Sequence, residues 1–491
     1  MNPAAQPPSA PVEETLREAR RLMAAGQWDA AWTELEPLFD SGHGVEAAPA
    51  AYELGRRRRG PQEAARIVFQ RVYESGHEDL VARVAIRLGT IAKGAGDRDR
   101  ARAFYERAIE LGTPHEVTAA AFNLGLLYQQ DGDLERAERW YRHSLEEGDG
   151  SAVDVSLNLG LLREAAGDAD EARALYQRAL ETGSGSRLEQ VALVLGELLR
   201  RQGAYAEAEP YLRRAVQARI PMAAFALGRT LFAQRRLEEA EVELRRAVDD
   251  YGDLSALMTL GDVLVSKVDP GANSLAWLAP AEFGLSVHGY SEHLPAGPEI
   301  EEAEAYYRQA IAVGQHAALV HLGHLLMGTN RAQEAEQRLR EAVRVGAPDA
   351  EFALAVLLHL RGDDAEAARV LEPAVAAGEA PALIMRADLH SHEERYAEAA
   401  ELFGRAARNG GAPLGVRAMQ FTTLLLAADQ DAAAEVLREM LESDDAAGIA
   451  GLDALIGTEE SLADSWRQVR STPDPAEVRR FVALCAEAMR D

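Results

Sequence analysis

Several things are scarce in this chain, and each scarcity removes a class of protein. Cys485 is the only cysteine in 491 residues. One thiol cannot form an internal disulfide, nor a zinc site built from several thiolates. Lys93 and Lys267 are the only lysines; arginine supplies the rest of the positive charge, as expected of a GC-rich bacterial genome. Acidic residues outnumber basic ones 80 to 52, for a net charge of −28. That charge opposes contact with phosphate backbones and anionic membranes. Neither a nucleic acid nor a membrane is expected as a partner; cationic or neutral proteins fit better. Aromatics make up 6% of the chain, which suits alanine- and leucine-rich helices better than an aromatic β core. No long β-branched alternation marks a strand.

No apolar run reaches transmembrane length. The opening MNPAAQPPSAPVEE has neither a charged n-region nor an apolar h-region, so the expected location is the cytoplasm. No P-loop, GxSxG, HExxH or dinucleotide-binding glycine fingerprint occurs. The expectation is a protein that is not an enzyme, with no catalytic residue, no cofactor and no resident metal.

What the chain does have is a repeat. Residues 118–183 contain two copies of one pattern: Gly125 matches Gly160, Gly132 matches Gly167, Ala137 matches Ala172 and Tyr141 matches Tyr176. Each pair is 35 positions apart by subtraction, within the range of solenoid repeats. Ala121, Leu124, Gly125 and Tyr128 share one helix face. Gly132-Asp133 interrupts with turn chemistry. Ala137, Tyr141 and Ser144 then define a second helix, which Gly148 ends. The short gap makes the two helices antiparallel neighbours. Gly125 and Ala137 are small where the helices cross. One hairpin cannot bury its own apolar face, so the hairpins must stack.

This spacing resembles the tetratricopeptide repeat (TPR) family: a small residue on helix A, another twelve later on helix B, an aromatic four beyond it and a small residue three further. Ala-x-x-Trp-Tyr at 137–141, with a glycine-ended second helix, is similar to the related Sel1-type repeat. The resemblance implies an all-α fold: an α-solenoid of about twelve antiparallel helix-turn-helix repeats in a right-handed superhelix.

In chain order, residues 1–11 are rich in Pro and Ala and are expected to be a disordered leader. The array is expected over 12–442. Its members include a first hairpin turning at Gly26, a second marked by Gly55, and regular units at Gly89, Gly125, Gly160, Gly196 (with Ala208 and Tyr211) and Gly228, where Arg235 replaces the turn glycine. The eighth unit starts at Gly261, but its helix B carries Ala303 and Tyr307, placing about 30 extra residues at 267–298. Later units carry Gly323, Ala355 and Ala387, then a weak unit over 414–442. Residues 443–491 are expected to be capping helices. Asp474-Pro475-Ala476-Glu477 reads as a capping box, and Cys485 lies on an apolar stripe.

Helix A lines the concave side, by resemblance to the family. Its candidate partner-binding residues are Arg83, Arg87, Lys93, Asn123, Asn158, Glu197, Arg200, Arg229 and Asp262. Asn123 and Asn158 fall two before the glycine in successive repeats. An amide there is a poor helix former, but it can both donate to and accept from an extended peptide. The insertion is the second candidate, through Trp277, Phe283, His288, Tyr290 and His293, as a lid, a partner contact or an apolar plug. The leading expectation is an adaptor that binds a segment of one or more proteins or peptides in the groove. The alternatives are a regulator sensing a peptide or small ligand, and a metal-dependent enzyme built around the insertion. For metal, the histidine pairs are His288/His293, His321/His324 and His390/His392, with Asp262 as a third ligand for the second pair. Oligomeric state is left open.

Overall fold

A computed structural model describes residues 10–57, 62–147, 153–183, 187–269, 294–409, 416–443, 445, 448–450, 452–453, 460–471 and 474–488. Among the described residues the regular structure is helical, with no strand. The chain divides into two compact units, Met1–Ile220 and Pro221–Asp491.

The first unit holds six hairpins. They are α1 (Ala10–Ala24) with α2 (Trp28–Asp40), α3 (Gly44–Arg57) with α4 (Gln62–Glu74), α5 (Val81–Gly94) with α6 (Arg98–Leu111), α7 (Pro114–Gln130) with α8 (Leu134–Glu147), α9 (Val153–Ala165) with α10 (Ala169–Thr182), and α11 (Leu188–Arg201) with α12 (Tyr205–Gln217). The first helix opens at Ala10, two residues inside the segment expected as leader. Pro11 is compatible with that, because a helix's first turn has no use for its N–H.

The second unit continues with α13 (Ala223–Ala233) and α14 (Leu237–Tyr251), α15 (Ala256–Val268) and α16 (Pro298–Ala312), α17 (Ala318–Gly328) and α18 (Ala332–Val345), α19 (Ala350–Leu360) and α20 (Asp364–Ala377), α21 (Ala380–His392) and α22 (Tyr396–Arg408), and α23 (Val416–Leu426) and α24 (Gln430–Glu442). Then come α25 (Glu460–Ser471) and α26 (Pro475–Ala488). None of the described helices is long and apolar enough to cross a membrane.

One register runs through most of the hairpins, the second and the twelfth departing from it. A small residue on the first helix is followed at +7 by the turn, at +12 by a fully buried alanine and at +16 by a large side chain. In the fourth repeat these are Gly125, Gly132, Ala137 and Tyr141; Ala137 and Tyr141 are both fully buried. The turn residue takes the left-handed conformation, with φ +80° at Gly132 and +87° at Gly167, where a Cβ is disfavoured. The aspartate after it caps the second helix: Arg136 N–H donates to Asp133 and Glu171 N–H to Asp168. Arg235, Asn330, Glu394 and Ala428 occupy the same turn slot with φ near 60°, so the turn is kept where the glycine is not.

In these hairpins the glycine's partner is the residue at +16, whereas in the second hairpin Gly55 faces Phe69 at +14. A Cβ on Gly125 would lie 2.5–2.6 Å from the Tyr141 ring, and one on Gly89 2.6–2.8 Å from Tyr105. Leucine does the same work opposite Gly196, Gly228 and Gly323, through Leu212, Leu244 and Leu339. This corrects the sixth repeat. Leu212, not Tyr211, holds the buried position, and Tyr211 is only half-buried. In the eighth hairpin the register resumes after the insertion, with Gly261 against Tyr307. Leu294, the first described residue after Asp269, is buried and donates its N–H to Gly328 O at 2.8 Å.

At the C-terminal end, Phe481, Val482, Cys485 and Trp466 pack with Leu437 and Met440 of α24 into one apolar cluster. Burial pushes the Cys485 thiol up to about 12. The Ala476 N–H donates to the Asp474 side chain at 2.9 Å, which is the aspartate half of the capping box expected there.

Candidate functional site

Within each unit several first helices of successive hairpins touch one another: α1 with α3, α5 with α7, α9 with α11, α17 with α19, α19 with α21. Successive second helices make at most marginal contact. The first helices therefore form the tighter, inner side of each stack, and their outward slots two before and one after the small residue are the positions a ligand would meet.

In the first unit this face belongs to α5, α7, α9 and α11. Arg87 is exposed and Lys93 half-buried on α5, and neither has an ion-pair partner among the described residues. Arg83 is committed: its Nε donates to Glu116 Oε1 at 2.8 Å, tying α5 to α7. Burial works against the Glu116 charge, but hydrogen bonds from Thr113 and Arg83 outweigh it and hold the carboxyl below the usual range. Asn123 and Asn158 are half-buried. Each donates one amide hydrogen to the carbonyl four residues before it, Ala119 O at 2.8 Å and Asp154 O at 2.7 Å. The bond stays within the helix and uses one of the amide's two donor hydrogens. Leu126 is half-buried and Leu161 is 41% exposed, both in the slot one after the glycine. Glu197 and Arg200 pair with each other at 3.0 Å.

In the second unit Arg229 lies over the Phe225 ring at 5.4 Å. Asp262 is not a groove contact. It is 6% exposed, and its Oδ1 accepts from Tyr307 Oη at 2.8 Å and meets His321 Nδ1 at 2.8 Å. The groove slot of one repeat here faces the next repeat's first helix. Burial disfavours the His321 charge, but Asp262 and, more weakly, Asp349 win and raise it above the ordinary histidine value. Burial and the neighbouring His321 lower His324 to about 3. Asp262 and His321 therefore form a buried polar link between repeats, with Tyr307 donating to the same carboxylate oxygen.

The insertion residues Trp277, Phe283, His288, Tyr290 and His293 lie outside the described residues. Sequence reading missed one convergence. His359 on α19 and Asp388 and His392 on α21 meet, although only His392 attracted notice, as a partner for His390. Two residues apart on a helix do not face each other, whereas two helices in register do.

Two family models, both described as tetratricopeptide repeat, match the sequence: one over residues 82–146 and 151–220, the other over 193–255 and 320–384. No curated protein matches. Among solved structures, the chain is similar to c5321, described as a protective antigen present in uropathogenic Escherichia coli strains and displaying an SLR fold. The TM-score is 0.57 and the identity 19%, over 91% of this chain and 94% of that one. YrrB, described as a TPR protein with an unusual peptide-binding site, aligns at TM-score 0.33 and 22% identity over 38% of this chain and 94% of its own. A tetratricopeptide repeat protein from Parabacteroides merdae aligns at 0.37 and 14%, over 56% and 98%.

Proposed function

Because this chain is a tetratricopeptide/Sel1-like repeat protein, we propose that it is a binding scaffold whose α5–α7–α9 face holds an extended segment of a partner protein. The observation that carries the reading is the repeated asparagine. Asn123 and Asn158 sit in one slot of successive repeats, each with a donor hydrogen beyond the one its own helix takes. An extended backbone offers a carbonyl and an N–H at regular intervals, and two amides one repeat apart answer two of them. Leu126 and Leu161 supply apolar contact beside them, and Arg87 and Lys93 supply positive charge at one end. A segment with an acidic residue or a terminal carboxylate suits that end. The chain's net charge of −28 disfavours a nucleic acid on the same face.

The test is capture with Asn123→Ala/Asn158→Ala. Alanine is the better helix former by up to about 0.7 kcal/mol per site, so the variant should fold at least as well as the wild type. Expected is the loss of at least one protein that the wild type captures, with an unchanged or higher melting temperature. An identical set of captured proteins at identical strength would refute the reading.

A further inference from the structure

We propose that His359, Asp388 and His392 form a binding site for one divalent transition-metal ion of the zinc class, with two imidazoles and one carboxylate as ligands. One donor atom of each lies within 4.8 Å of the other two, the one such grouping of three among the described residues. The site spans two neighbouring repeats, His359 near the end of α19 and the other two on α21, helices that touch.

Three observations point to a cation there. The first is Asp388, which is 6% exposed and whose Oδ2 is buried without a hydrogen-bond partner. Its nearest opposite group, His392 Nδ1, is 3.7 Å away, beyond hydrogen-bond reach. Buried carboxylate oxygens are normally paired or bound to a metal. The second is the state of the rings. His359 Nδ1 lies 2.6 Å from Asp364 Oδ1, and His392 Nδ1 lies 2.9 Å from the Asp388 carbonyl oxygen. An ionised carboxylate and a carbonyl only accept, so each Nδ1 carries the hydrogen and the Nε2 lone pair is left for a metal. Metal-bound histidines are oriented by this kind of contact. The third is the scale of adjustment. Around zinc, with ligand distances near 2.1 Å, tetrahedral donors sit roughly 3.4 Å apart, so donors lying within 4.8 Å of one another must close by at most about 1.4 Å. The His392 side chain is 54% exposed, at the last residue of its helix, and can move without disturbing the stack. The two rings already lie edge to face, with centroids 5.1 Å apart.

Two nitrogens and a carboxylate oxygen suit zinc and its first-row neighbours rather than calcium or magnesium. Three protein ligands leave a position for water or for a donor from a bound protein. The inference does not depend on the α5–α7–α9 proposal, since no residue is shared.

The test uses the full chain freed of metal by chelator dialysis and titrated with zinc(II) against a chromophoric chelator. Expected is one zinc per chain, with affinity at least tenfold weaker in both His392→Ala and Asp388→Asn and unchanged in His321→Gln. Cobalt(II) in place of zinc should give ligand-field absorption in the wild type that both site variants lose. An unaltered helical circular dichroism spectrum shows that the variants fold; His392 is exposed enough for its removal to be tolerated. No saturable zinc binding, or affinity within twofold of wild type in either site variant, would overturn the proposal. So would loss of binding in His321→Gln.

Discussion

Gly125→Ala sets two known effects against each other. In an ordinary helix the change stabilises by roughly 1 kcal/mol, because alanine is the better helix former. Here the added Cβ would stand 2.5 Å from Tyr141 Cε1 and 2.6 Å from Cδ1. The ring cannot simply step aside: Tyr141 is fully buried, and its hydroxyl donates to Gln129 Oε1 at 2.5 Å. Overpacking of this kind costs about 1–3 kcal/mol, so the net effect should run from neutral to about 2 kcal/mol destabilising. The decisive step is to repeat the substitution in a Tyr141→Ala background. With the ring gone only the propensity term remains, and Gly125→Ala should become stabilising by about 1 kcal/mol. The coupling between the two sites is then about 1–3 kcal/mol. A repeat array need not unfold in one step, so the measurement is hydrogen exchange of α7 and α8, read as local opening free energies. Ala387, fully buried in the same apolar cluster as Phe403, is the mirror case: Ala387→Gly should also destabilise, by about 1 kcal/mol or more. If Gly125→Ala had the same effect with and without Tyr141, the glycine–ring pairing would not be what sets the hairpin spacing.

The buried histidines give the second unit opposite limbs of pH dependence. His324 is held near 3 in the fold against about 6.5 unfolded, so the unfolded chain takes up the proton as pH falls from 6.5 to 3. Opening of α17 should then become easier by roughly 1.4 kcal/mol per pH unit at most. His321 is raised; its contribution is complete below about 6.5 and is lost as pH rises through its folded value. Hydrogen exchange of α17, corrected for intrinsic rates, should show greatest stability near 6.5, with the acid limb removed by His324→Leu and the alkaline limb by His321→Gln. Cys485, its thiol raised to about 12 by burial, should resist iodoacetamide at pH 8 in the native protein and react at once in guanidinium; quick native labelling would place it outside the apolar cluster.

The fold was legible because its repeat is written in backbone requirements. Small residue, left-handed turn and buried alanine recur at fixed offsets, and those offsets survive an insertion of about 30 residues before Tyr307. Where the chain followed residue type instead of offset, the reading slipped: Tyr211 looked like the packing aromatic, but position +16 belongs to Leu212. Side-chain partners were much less legible. Arg83 reaches Glu116 and Asp262 reaches His321, 33 and 59 residues away in sequence, and such pairs are set by how one repeat rests on the next. The same holds for His359 and Asp388, which sit in unlike slots of adjacent repeats and meet only once α19 and α21 are laid side by side. Asn123 and Asn158 were visible as a pair because equal slots in equal repeats need no three-dimensional knowledge; their intrahelical bonds were not.

The claim that the first-helix face receives a partner is tested most directly by photocrosslinking in the host cell. A photoreactive residue replaces Leu161, exposed on α9, or Arg139, exposed on α8 of the opposite helix layer. The account predicts a discrete crosslinked protein from position 161 and none from 139, with the product lost when Asn123 and Asn158 are alanine. Crosslinks from 139 alone, or a product at 161 indifferent to the two asparagines, would contradict it.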